Sequence, residues 1–204
     1  MAIITYKWIF LRMTKTGSTN IQRVIQELVA AKELDYRWKN IFFTGHQIER
    51  FDELNRYQQS LPIICSMRNP FAWYYSFWLW YTHSERQGHL AGERSIDPNL
   101  SFEEWVRENP TKMVDEMKRI YPPNPRVIRV ETWKEELVEF LEEVKEPLSQ
   151  AAVSTINTFP DQNANRDRRR PYREYYTPEL EELVLEGAAP IFDAYYRSRS
   201  FPCI

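Results

Sequence analysis

The chain has 204 residues and a formal net charge of −2; 43% of it is apolar, 27% charged and 15% aromatic, with 7 Trp and 12 Tyr. That length suits one domain with a sizeable core, and the near-neutral balance excludes a global attraction to nucleic acid or to an anionic membrane, so any basic site must be local. The two cysteines, Cys65 and Cys203, make neither a disulfide framework nor a zinc-ligand spacing, and Cys65 in the apolar run 61–65 reads as a buried, inert thiol.

Residues 6–11 read as an apolar strand. The turn Thr14-Lys15-Thr16-Gly17-Ser18-Thr19-Asn20 follows, then an amphipathic helix through residue 30 with Ile21, Val24, Ile25, Leu28 and Val29 on one face. The turn has the chemistry of an anion cradle. Gly17 lets a ligand approach the backbone. The first N–H groups of the helix have no internal partner, and the helix dipole favours negative charge there. Ser18 and Thr19 add hydroxyl donors, and Lys15 adds a mobile positive charge. The plainer alternative is an ordinary strand-to-helix turn with a capping Ser. The spacing is not that of a Walker A loop, which places its Lys after the second Gly, whereas Lys15 precedes Gly17.

A short strand over 41–43 leads into Thr44-Gly45-His46, and 48–57 is expected to be helical. The near-continuous apolar run 61–67 predicts a strand buried on both faces. It ends at Arg68-Asn69-Pro70, where Pro70 opens an aromatic helix over 71–81. Residues 83–99 read as a loop. Ser101 and Glu104 form a capping box at the start of a short helix. A helix over 111–121 and a strand over 126–130 follow, then a helix over 131–144 with Leu137, Val138, Leu141 and Val144 inward. Residues 149–156 form a further helical segment. The stretch 157–172 is polar and basic, ending in Arg166-Asp167-Arg168-Arg169-Arg170-Pro171-Tyr172. Thr177 and Pro178 open a final helix packed through Leu180, Leu183 and Val184, which Pro190 should kink or interrupt. With no secretory leader and no run of bilayer-spanning length, a cytoplasmic location is expected, unless the chain is cut from a membrane-anchored parent.

Strands separated by helices imply an α/β fold: three layers, with a central parallel sheet flanked by helices, as one domain over 1–204. Ligands of such sheets bind beyond the carboxyl ends of the strands. The clusters around Lys15, His46 and Arg68 each follow an apolar strand and would converge on one edge. Arg68 could pair bidentately with a phosphate, and Ser76, about two turns along the next helix, could reach the same anion. A surface Arg and a helix Ser with local backbone bonds is the plainer alternative.

Together these residues resemble the sulfotransferase family that uses 3′-phosphoadenosine 5′-phosphosulfate (PAPS), its carbohydrate branch more than its small-molecule cytosolic branch. Lys15, Gly17, Ser18 and Thr19 match the family's 5′-phosphosulfate loop. Arg68, Asn69, Pro70 and Ser76 match its 3′-phosphate motif in order and spacing. Thr44-Gly45-His46 stands where many members place a base. Arg129-Val130-Glu131-Thr132-Trp133 is similar to the family's Tyr-Glu-Asp-Leu segment, with two positions altered. Residues 165–176 are similar to the basic closing loop and Tyr-Tyr-Thr-Pro-Glu segment of the carbohydrate branch, and 82–110 stands as a variable insertion.

The resemblance implies a single P-loop-like domain that moves a sulfuryl group in line from PAPS to a hydroxyl, on a carbohydrate or small-molecule acceptor. It implies donor contacts from Lys15, Thr16, Gly17, Ser18, Thr19, Asn20, Arg68, Ser76, Arg168, Arg169, Arg170 and Tyr172. Asn20 alternatively caps the helix without touching the ligand. Lys15 would also stabilise the leaving oxygen and His46 would be the general base, with Glu49 as the alternative base. Positioning and charge stabilisation dominate such transfers. The leaving phosphate carries less charge than a nucleoside triphosphate tail, so no metal is required. Neither a nucleic-acid nor a membrane partner is implied. Two competing classes are a small kinase-like nucleotide enzyme, weakened by the missing Walker A spacing, and a non-catalytic nucleotide-binding module.

Overall fold

In the computed structural model, which describes residues 2–34, 41–43, 50–83, 99–160 and 171–196, the chain opens with a hairpin that its turn residues conceal. Strand β1, Ala2–Thr5, precedes the expected strand, which is confined to Ile9–Leu11 (β2). No Gly, Asn or Pro marks the connection. Instead the Thr5 hydroxyl accepts from the backbone N–H groups of Lys7 (3.1 Å) and Trp8 (2.8 Å) and donates to the Trp8 carbonyl (2.7 Å). A side chain thus supplies the bonds that a turn glycine's conformation would otherwise permit.

The chain is α/β and divides into two units, Met1–Arg68 with Met117–Arg166 and Asn69–Glu116 with Asp167–Ile204. The first unit holds a sheet in the order β3-β1-β2-β4-β5, where β3 is Ile41–Phe43, β4 Ile63–Met67 and β5 Arg126–Arg129. The sheet is mixed, which corrects the expectation of a parallel one. Pairs β2–β4 and β4–β5 are parallel, but β1 is antiparallel to both β2 and β3. The Thr5–Trp8 turn is the reason: a hairpin this short can only reverse the chain. Strands β2, β3, β4 and β5 consequently share one direction and one carboxyl edge.

One face of this sheet is packed by α1 (Ser18–Ala30) and two later helices described below. Ile3, Phe10 and Ile64 stand in a cross-strand row. They share a buried cluster with Ile21, Val24, Ile25 and Leu28 of α1 and with Leu137, Phe140, Ala152 and Ile156. The expected α1 face is therefore the buried one, with Val29 only partly covered. Burying side chains of this size contributes about 1.5–3 kcal/mol each. Ile9, Leu11, Cys65 and Met67, on the opposite pleat, are buried as well. The interval expected to be one helix over 48–57 is broken. A 3-10 turn covers Phe51–Glu53, and α2 is a single turn, Arg56–Gln59, opened by a reciprocal Asn55–Gln58 cap; 44–49 lies outside the described residues.

Pro70 begins α3, Pro70–His83, and the Asn69 side chain accepts from the Phe71 N–H at 3.1 Å as its cap. Ser101 and Glu104 cap α4, Phe102–Glu108, reciprocally as expected. Helix α5, Lys112–Ile120, runs from the second unit into the first. Past β5 come a 3-10 turn at Val130–Thr132, then α6, Trp133–Glu143, and α7, Gln150–Thr158, the pair that completes the cluster on the first unit's sheet. Helix α7 reaches two residues into the stretch expected to be a basic loop from 157; residues 161–170 lie outside the described ones, and Tyr172–Tyr175 is a 3-10 turn. Thr177 caps α8, Pro178–Gly187, and Pro190 falls in the first turn of a separate helix, α9, Ala189–Tyr195.

The second unit packs mainly through rings. Phe77 stacks on Trp105 at 5.7 Å between centroids, and Phe71 meets both Phe192 and Tyr176. A Cβ on Gly187 would lie 2.0 Å from the Pro110 carbonyl oxygen, so only glycine permits that approach. Among the described residues no helix is long and apolar enough to cross a membrane.

Candidate functional site

Three loop starts lie side by side at the carboxyl edge of the sheet. Leu11 of β2 pairs with Cys65 of β4, and Met67 of β4 pairs with Arg129 of β5. The cradle that follows β2, Arg68 directly after β4 and Val130 directly after β5 are thereby brought together although they are far apart in sequence. Strand β3 runs the same way, so its carboxyl end is at this edge too; His46 itself, with Glu49, lies outside the described residues.

The cradle backbone is unusual. Lys15 has φ 67° and Gly17 φ 68°, so two left-handed residues flank Thr16. For Gly17 this conformation is unstrained, but for Lys15 it costs of order 1 kcal/mol or more and needs support. That support is visible at Thr16, which is fully buried. Its hydroxyl donates to the Met13 carbonyl at 2.7 Å and shares a hydrogen bond with the Ser66 hydroxyl of β4 at 2.5 Å. The Thr16 side chain therefore faces into the protein. Gly17 is constrained a second time, since a Cβ there would sit 2.0 Å from Val130 Cγ2.

Gly17 is also the N-cap residue that leads into α1. No side chain caps that helix, and its first turn carries no acidic residue. The positive end of the helix dipole is thus left without a carboxylate of its own. Ser18 and Asn20 are buried, whereas Lys15 and Thr19 are half-exposed. Arg12, which the sequence pattern did not single out, reaches over this helix start. Its Nε donates to the Ser18 hydroxyl at 3.0 Å, and its Nη1 donates to the Gln22 side chain. Ser18 accepts that bond, which leaves its own hydroxyl proton as a donor. Burial lowers the Arg12 pKa from its ordinary value, with Tyr121 acting in the opposite sense. A guanidinium starts so high that its charge persists.

The turn after β5 is fixed by one buried carboxylate. Glu136 accepts from the Arg129 backbone N–H (2.7 Å), from Arg129 Nε (2.6 Å) and from the Thr132 hydroxyl (2.7 Å). These bonds hold the Arg129–Thr132 segment, and with it the Val130 side chain against Gly17. Tyr121 is a further residue the sequence left unmarked: its hydroxyl accepts from the Met13 N–H at 3.1 Å and donates to the Ser66 carbonyl.

Ser76 and Tyr172 are both buried and belong to the second unit, Ser76 on α3 and Tyr172 at the start of the 3-10 turn. Arg168, Arg169 and Arg170 lie outside the described residues. Among the described residues no cluster of His, Cys, Asp and Glu has the make-up of a metal site. Chemically the edge offers main-chain N–H groups, one hydroxyl oriented by a guanidinium, and cationic side chains on neighbouring loops. This is the donor set for an oxyanion of the phosphate or sulfate kind. No protein-family model, curated protein or solved structure matches this chain.

Proposed function

We propose that this chain is a PAPS-dependent O-sulfotransferase of a single P-loop-like domain, acting on a hydroxyl of a carbohydrate acceptor. One observation carries the reading. The cradle with left-handed Lys15 and Gly17 and the Arg68 loop follow adjacent parallel strands, so two anion-binding elements share one sheet edge. The residues present fit a phosphosulfate: the start of α1 has no side-chain cap, its first turn carries no acidic residue, and Gly17 has no room for a side chain.

In this reading PAPS supplies an activated sulfuryl group next to a leaving phosphate. Lys15, the Ser18 hydroxyl and the first N–H groups of α1 face the oxygen on which negative charge grows as the S–O bond to phosphate breaks. Arg12 orients Ser18 through the bond from its Nε. Arg68 binds the second phosphate of the nucleotide, which distinguishes a 3′-phosphorylated donor from ATP. His46 takes the proton of the acceptor hydroxyl as its oxygen bonds to sulfur.

Calorimetric titration with 3′-phosphoadenosine 5′-phosphate and with ATP tests this. The expected result is binding of the bisphosphate and at most weak binding of ATP. Preference for ATP would instead favour a kinase-like enzyme. Tight bisphosphate binding without transfer of labelled sulfate to any of a broad panel of glycan and phenolic acceptors would favour a non-catalytic module.

A further inference from the structure

Beneath the cradle, four residues close a ring of buried hydrogen bonds. The Met13 N–H donates to the Tyr121 hydroxyl at 3.1 Å, and that hydroxyl donates to the Ser66 carbonyl. The Ser66 hydroxyl is 2.5 Å from the Thr16 hydroxyl, which donates to the Met13 carbonyl at 2.7 Å. Thr16, Ser66, Met13 and Tyr121 are all buried. The ring joins the extension of β2, the carboxyl end of β4 and the residue just past α5, and it grips the cradle between its two left-handed residues, Lys15 and Gly17. The backbone N–H of Tyr121 in turn bonds the Met117 carbonyl at 2.9 Å, so the phenol is carried by a helix end and not by a free loop.

We propose that Tyr121 is a positioning residue which, through Ser66 and Thr16, holds the cradle backbone in its anion-receiving shape and so sets the affinity for the donor nucleotide without touching it; this rests on the sulfotransferase reading above. A bare chain would not keep a lysine at positive φ, because the left-handed region is disfavoured for residues with a Cβ. Buried hydroxyls that are fully bonded have one arrangement, and losing one of them leaves a buried N–H or carbonyl to find another partner. Burial, and secondarily the Cys65 thiol, push the Tyr121 pKa up, so the phenol keeps its proton and its donor bond. The effect on the ligand runs through geometry: N–H groups aimed a few tenths of an ångström off weaken every bond they make.

The test is Tyr121→Phe beside the wild type. It is read by calorimetric titration with 3′-phosphoadenosine 5′-phosphate and by hydrogen exchange resolved at residues 13–18. Binding weaker by about tenfold is expected, together with faster exchange at the cradle amides while the α6 amides keep their protection. Wild-type affinity with unchanged cradle exchange overturns the proposal. So does a loss of protection spread evenly over the first unit, which would show a merely structural role. If Tyr121→Phe does not fold, Ser66→Ala, which removes only one hydroxyl from the ring, carries the same readouts with the same expected outcomes. A wild type that fails to bind the nucleotide brings down the donor-site reading and the claim about affinity, while selective cradle exchange in the variant separately upholds the clamp and its absence rejects it.

Discussion

The two units bury polar atoms in different ways. In the first, buried hydroxyls and carboxylates bond in sets: Thr16, Ser66 and Tyr121 beneath the cradle, Glu136 with Arg129 and Thr132 beside it, and Glu146 with Trp8 and Lys7. In the second, phenols bond main-chain carbonyls within a shell of rings, the buried Tyr74 at Pro110 and the half-buried Tyr176 at Phe71. Directional bonds hold a backbone to within tenths of an ångström. Ring packing specifies volume and tolerates repacking better. The difference teaches where the backbone is held most exactly, and that place is the carboxyl edge of the sheet, where the proposed donor site lies.

The sharpest way to break this comparison uses its two crowded glycines. Gly17→Ala forces a Cβ into Val130 at an unfavourable φ. It is expected to lower stability by about 2–4 kcal/mol and to cost at least about a hundredfold in nucleotide affinity. Gly187→Ala meets the Pro110 carbonyl at the same distance. It should destabilise by about 2–3 kcal/mol and leave the affinity in place. Urea unfolding paired with calorimetry reads both, and equal loss of affinity in the two variants would erase the distinction.

A second experiment probes what the units share. Burial raises the pKa of Tyr121 in one and of Tyr74 and Tyr176 in the other. Above the ordinary phenol pKa of about 10 the unfolded chain releases protons that the folded chain keeps, so stability falls as pH rises, by up to about 1.4 kcal/mol per pH unit for each residue. Stability contributed by these groups is complete below that pH. Denaturation midpoints between pH 8 and 11 should therefore be flat and then drop, and Tyr121→Phe should shallow the drop.

Smaller effects separate binding from folding. Arg68→Ala is expected to weaken bisphosphate binding by about ten- to a hundredfold. Thr177→Ala acts on stability instead: it removes the hydroxyl that accepts from the Leu180 N–H and should cost about 1 kcal/mol with affinity unchanged. Melting curves with and without nucleotide distinguish the two.

The apolar face of α1, the doubly buried β4, the Ser101–Glu104 cap and the Thr177-Pro178 helix start all appear where spacing put them. Residues 48–57 do not form one helix because Asn55 starts a helix of its own, and β1 leaves no local signal because the Thr5 hydroxyl replaces the usual turn residues. At the site, the cradle and Arg68 were legible as polar clusters behind apolar strands. Arg12, Ser66, Tyr121, Val130 and Glu136 were not. Ser66, Tyr121 and Val130 act on residues far away in sequence, and Arg12 and Glu136 act across the bend of a turn on residues four to ten positions away, pairings that join two elements and so follow no single helix or strand period.

By itself, then, the sequence determined most of the helices and strands and which residues have the chemistry to hold an anion, since period, capping and charge are properties of neighbouring residues. Tertiary structure alone decided that β1 reverses within the sheet, that β2, β4 and β5 deliver their loops to one edge, and that a ring of buried hydroxyls holds Lys15 and Gly17 left-handed. Hydrogen-bond register and burial are settled only when distant parts of the chain meet.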